Sequence, residues 1–240
     1  MHMIKVFPTT EAVCQAAMEQ FMALAIENIA AKGSFVVALS GGRTPNQLYD
    51  LMALPENAGM IDWKNIFFFW GDERYVPQDN KENNSLQARQ HLLDKVSVPE
   101  GNIFRIPING DHEADAKRYE QTIRSFFKGE PPVFDLIFLG MGDEGHTASI
   151  FPGSPLLKEQ AALVKDVYVE VKQMQRISFT PALINAAKEI MFVITGQEKA
   201  PALKEVLEGN FDPQLYPAQI IKPVIGKITW LLDEAVSRLL

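Results

Sequence analysis

Five short apolar runs constrain this chain more than any other feature: Phe35–Leu39, Ile66–Trp70, Phe134–Leu139, Ile190–Thr195 and Ile228–Leu232. Each reads as a strand buried on both faces, because a strand with one face in water would alternate apolar and polar residues. Patterns with helical spacing lie between the runs, so the fold class is α/β with a mostly parallel sheet. With 240 residues, 47% of them hydrophobic, the chain has ample material for a sizeable core. No Gly/Ser- or Pro-rich tract divides it, so residues 1–240 are expected to form a single domain.

In open α/β sheets ligands bind beyond the carboxyl ends of the strands, so the residues after each run carry the functional reading. The Phe134 run turns through Gly140, Gly142 and Gly145, where backbone can pass close to a ligand. Asp143, Glu144 and His146 sit in that turn, and an acid beside an imidazole makes a candidate catalytic centre. The same string matches G-x-G-x-x-G, but a dinucleotide site needs a long helix after the third glycine. Pro152 and Gly153 stop any such helix early, and Asp143 and Glu144 would repel a diphosphate, so the nucleotide reading is set aside.

The Phe35 run leads into Ser40-Gly41-Gly42-Arg43-Thr44-Pro45 and then a helix. A glycine turn at a helix N-terminus is an anion cradle; Thr44 is expected to cap the helix and Ser40 or Arg43 to add donors. Ser40 stands in no G-x-S-x-G elbow and reads as a ligand donor, not a nucleophile. The Ile66 run delivers Asp72, Glu73 and Arg74 to its end, a second cluster of charge at the same level. After the Ile190 run, Lys199 falls in the first turn of a helix, a poor place for a cation unless it faces an anion.

The remaining pattern gives a strand at Ile4–Phe7 and a helix from Thr9 or Thr10 to Lys32, ended by Gly33. A short helix capped by Asn83 or Asn84, a strand at Ile103–Ile106, a helix over Glu113–Phe127, and strands at Leu163–Val171 and Ile177–Phe179 complete it. A net charge of −7 argues against a nucleic-acid partner, though not against a small anionic substrate held by a few local cations. The single cysteine, Cys14, reads as a packed thiol. Four histidines without H-x-x-x-H spacing suggest no metal site. With no signal peptide or spanning segment in view, no membrane partner is expected and the expected location is the cytoplasm.

Taken in order, LSGGRTP (39–45), GDERYVP (71–77), GMGDEGHTASIFP (140–152), RISFT (176–180), TGQEKA (195–200) and WLLD (230–233) resemble the 6-phosphogluconolactonase family. The resemblance implies a modified Rossmann-like fold with helices on both faces of the sheet. It also implies hydrolysis of the δ-lactone of 6-phosphogluconate in the oxidative pentose phosphate pathway, without metal or organic cofactor. It makes His146 the general base, with Glu144 where the family usually has Asp, and Arg74 the active-site arginine. Ser40, Gly41, Gly42, Arg43, Thr44, Asp72, Arg176 and Lys199 then form the substrate and phosphate pocket. The nearest rival is a deaminase of glucosamine 6-phosphate on the same scaffold. A rival of another class is a sugar-phosphate-binding regulatory domain without the base.

Overall fold

A computed structural model describes residues 2–240. In chain order the elements are β1 (His2–Phe7), α1 (Thr10–Lys32), β2 (Phe35–Leu39), α2 (Arg43–Met52), the single turn α3 (Pro55–Ala58), β3 (Ile66–Trp70) and β4 (Asp72–Arg74). There follow α4 (Asn84–Ala88, continued by a π turn to Leu93), α5 (His112–Phe126), β5 (Leu136–Leu139), β6 (Val164–Val169) and β7 (Met174–Phe179). The chain closes with α6 (Pro181–Asn185), β8 (Glu189–Ile194), α7 (Ala200–Glu208), β9 (Lys227–Asp233) and α8 (Glu234–Ser237).

The apolar runs all enter one six-stranded sheet, order β1-β9-β8-β5-β2-β3, in which every pairing is parallel. Successive residues of β3 face opposite sides. Phe68 meets Trp63, itself against Phe21 of α1, whereas Phe69 packs on Tyr119 and Phe126 of α5. Helices thus cover both faces, which is why the strands carry no polar alternation. β2 and β3 run in register from Phe35–Ile66 to Leu39–Trp70, so Ser40 and Gly71 emerge at one level. At the opposite end the buried Asp135 carboxylate accepts from Lys32 (2.7 Å), Lys188 (2.9 Å) and the Val36 amide (2.9 Å), pinning the start of β5.

A second, three-stranded antiparallel sheet, order β4-β7-β6, departs from the expected single series of strands. The strands read at Leu163–Val171 and Ile177–Phe179 form this β6–β7 hairpin instead of joining the parallel set. The chain crosses from one sheet to the other at Gly71, whose N–H donates to Leu39 and whose carbonyl accepts from Phe179. Three smaller expectations also change. Ile103 makes one bridge to Phe68 but no strand forms over Ile103–Ile106. Thr44 does not cap α2; its hydroxyl is engaged 2.8 Å from that of Thr195. No helix at all follows Gly145, where the chain stays irregular up to a 3₁₀ turn at Pro155. Thr9 caps α1 and Gly33 ends it at φ 80, as read. Among the described residues no helix is long and apolar enough to cross a membrane.

Candidate active site

The carboxyl ends of the parallel strands open into a cleft of about 580 Å³, and the site residues read from the sequence line it except Glu144, which stands behind His146, and Glu73, which is buried away from it. The site is built from two directions: turns that follow β2, β5 and β8, and side chains that project from β4 and β7.

The turn after β5 holds the imidazole. His146 stacks face to face on Phe151, with ring centroids 3.8 Å apart and planes 14° from parallel. Its Nδ1 lies 3.0 Å from Glu144 Oε2, close but not aligned as a hydrogen bond, and neither atom has another partner. Glu144 Oε1 is 3.9 Å from the Lys172 ammonium at the tip of the β6–β7 hairpin. Burial disfavours ionised Glu144, yet His146 and Asp143 beside it outweigh burial and hold its carboxyl well below the usual range. Gly142 has no substitute, because a Cβ there would overlap both His146 Nδ1 and Glu144 Oε2. Further along, Ala148 lines the cleft in the left-handed region at φ 47, a strained setting for a residue with a Cβ.

The small sheet supplies charge. Ser149 donates to Asp72 Oδ2 at 2.6 Å, and the Arg176 guanidinium lies 3.8 Å from the same oxygen and over the Phe151 ring. Arg176 is only 8% exposed and its Nε has no partner. Burial pulls the Arg176 pKa down, and Asp72 opposes that pull. Arg74 is its cross-strand partner, so two guanidiniums share one face of the sheet. Arg74 Nη1 is anchored 2.7 Å from the Glu82 carbonyl.

The third wall joins a helix N-terminus to cationic side chains. α2 starts at Gly42 (φ 121) with no side-chain cap, and Ser40–Thr44 line the cleft. Opposite them, Gly196 (φ 103) turns the chain toward Lys199, whose pKa is lowered by burial and supported by Glu198. Among the described residues the Lys199 ammonium makes no ion pair. Arg43 is 93% exposed and reaches Glu198 across the mouth at 3.7 Å. Asp233 fastens this wall: its carboxylate accepts from the Gly196 amide (3.1 Å), Thr10 (3.2 Å) and the Val236 amide (2.8 Å).

Sequence reading missed Ser149, Asn84, Thr195 and Asp233. Ser149 and Asp233 lay inside strings already singled out, where a polar residue in an apolar context was the available signal. Asn84 was read as one of two alternative caps; Asn83 makes the cap, and Asn84 turns into the cleft wall. Among the described residues no three metal-ligating side chains converge.

Such an arrangement defines a class: an α/β protein of doubly wound type, with an acid-backed imidazole at one end of its cleft and a helix N-terminus with nearby cations at the other. The chain belongs to the family described as glucosamine-6-phosphate isomerases/6-phosphogluconolactonase, whose model matches residues 8–230. It is 44% identical over 211 residues to a 6-phosphogluconolactonase of Synechocystis sp., covering 86% of this chain and 85% of that protein. It superposes on the 6-phosphogluconolactonase from Trypanosoma cruzi with a TM-score of 0.89 at 27% identity, covering 100% of this chain and 97% of the other. A monomeric glucosamine-6-phosphate deaminase matches with a TM-score of 0.85 at 21% identity, covering 99% and 100%, a likeness of fold.

Proposed function

We propose that this chain hydrolyses 6-phospho-D-glucono-1,5-lactone to 6-phosphogluconate, the ring-opening step of the oxidative pentose phosphate pathway. One observation carries the reading: the imidazole of His146 is backed by Glu144 and clamped on Phe151, across the cleft from a cationic anion pocket. The apolar cluster running through both sheets supports treating residues 1–240 as one domain.

Nδ1 of His146 faces Glu144, which leaves Nε2 to take a proton from water as its oxygen attacks C1 of the lactone. The tetrahedral oxyanion draws on an amide of the Gly140–Met141 turn or on Arg74, the Gly142 N–H being already given to the His146 carbonyl (2.9 Å). Collapse breaks the bond between C1 and the ring oxygen, and the imidazolium returns its proton to that oxygen. The reaction needs no covalent nucleophile, since a lactone is already an activated ester. Ser40–Gly42, Arg176 and Lys199 hold the phosphate, and their binding energy positions C1 against the base.

An aldose–ketose isomerising deaminase must move a proton between adjacent carbons and needs a further acid near its histidine. The fifth residue after His146 is Phe151, which stacks on the imidazole and can neither give nor accept a proton. The deciding experiment offers one preparation both substrates at saturation. Acceleration of lactone loss over its spontaneous rate, with no ammonia from glucosamine 6-phosphate, is expected; ammonia release without lactone hydrolysis overturns the reading.

A further inference from the structure

Glu73 stands between two cleft residues and is not one itself. Asp72 and Arg74 line the cleft, while Glu73 points the other way, as alternate residues of a strand must, and is 1% exposed. Its carboxyl oxygens accept three backbone amides: Arg74 (2.9 Å), Asn84 (2.7 Å) and Ser85 (2.9 Å). The last two belong to the first turn of α4, eleven and twelve residues further along the chain. Burial pushes the Glu73 carboxyl up to about 8, against the pull of the amides and with Asp72 adding to the rise. A buried acid in that condition lowers stability where an apolar residue would not, so its presence calls for a role.

What the clasp holds is the cleft wall. Asn84 Nδ2 donates to the Asp72 carbonyl at 3.0 Å. Its Oδ1, buried and without a hydrogen-bond partner, lies where a Cβ on Gly41 would stand. The loop entering α4 presents the Glu82 carbonyl that anchors Arg74 Nη1. Release of the α4 N-terminus therefore falls on the Arg74 guanidinium, because Ser149 still holds the Asp72 carboxylate and Tyr49 still holds the Ser40 end of the Gly41 turn.

We propose that Glu73 is the positioning residue of this site, fastening α4 to β4 so that Arg74 is held at one place in the cleft. The inference rests on the lactonase reading for its kinetic test, and a structural readout stands beside it. Glu73→Gln keeps the shape but presents an NH₂ to an amide donor. It is expected to lower kcat/KM for 6-phosphogluconolactone by about 10²-fold, the scale of a misplaced catalytic group. A residue that acts through Arg74 has nothing left to lose once Arg74 is gone. The double variant Glu73→Gln/Arg74→Ala is therefore expected to match Arg74→Ala within about 3-fold. If the two losses multiply instead, Glu73 serves general stability and the proposal fails. Asn84→Ala breaks the next link with the carboxyl in place and repeats the cycle with Arg74 should Glu73→Gln not fold. Hydrogen exchange at the Arg74, Asn84 and Ser85 amides, which needs no activity, should quicken in Glu73→Gln; unchanged protection overturns the clasp. Absence of lactonase activity in the wild type would sink the functional reading while leaving that exchange result to judge Glu73.

Discussion

The strands of the parallel sheet that feed the cleft, β2, β5 and β8, stop before it and hand over to glycine turns, whereas β4 and β7 carry Asp72, Arg74 and Arg176 within the strands themselves. The difference follows from burial. Parallel strands covered on both faces have no side chain to spare, so they contribute what comes after their last residue, chiefly backbone amides. The antiparallel sheet keeps one face open to the cleft, and residues two apart, Asp72 and Arg74, both reach it. Backbone turns set positions, and the strand-borne side chains set charge.

The largest expected effect is at the one side chain a glycine turn must present. His146→Ala should lower kcat by about 10²–10⁴-fold with a smaller change in KM. Near-wild-type kcat, after subtraction of spontaneous hydrolysis, would show that the turn after β5 is not the catalytic wall. A smaller effect separates the two cationic walls. Lys199→Ala, on a turn, should mainly raise KM by the worth of a charge-assisted contact, about 1.5–3 kcal/mol, and leave the melting temperature alone. Arg176→Ala, in a strand, should raise KM and also lower the melting temperature, because Asp72 and Ser149 lose their cationic neighbour. Identical profiles for the two variants would erase the distinction between turn and strand. The smallest effect concerns backbone. Ala148→Gly removes a Cβ from a left-handed residue, so the melting temperature should hold or rise slightly. Ala38→Gly in β2 should lower it by the equivalent of about 1 kcal/mol. Equal losses at both positions would mean Ala148 is unstrained.

The same contrast explains what was legible in the sequence. Continuous apolar runs announce strands covered on both faces, so β2, β3, β5, β8 and β9 could be placed within a residue or two, and the turns behind them fell at strand ends. β6 and β7 were visible as strands, but nothing local says which partner a strand takes, and β4 is three residues long inside a charged string. The separate sheet therefore stayed hidden. Asp72 and Arg74 were found as charge at a strand end and Arg176 by resemblance, none of them by its place in the small sheet. Glu73 carried the opposite error: grouped with its neighbours as a charge at the strand end, it proves buried because alternation turns it away. The side chains of Ser149 and Asn84 both reach Asp72, Ser149 across much of the chain and Asn84 from the loop beyond β4, and no spacing rule marks such a pair.

β1 has one neighbour in the sheet, β9, and Ile4 lies opposite Trp230. β1 thus has no partner in the sheet until β9, far along the chain, is in place. β9 also completes the edge of β8 and carries Asp233, which steadies the Gly196 turn. The Gly196 turn is in this sense a late acquisition of the fold, fixed only once β9 docks, although the turn that carries His146 precedes it in the chain. A nick between α7 and β9 is therefore expected to lower activity from a distance, with His146 and Glu144 untouched.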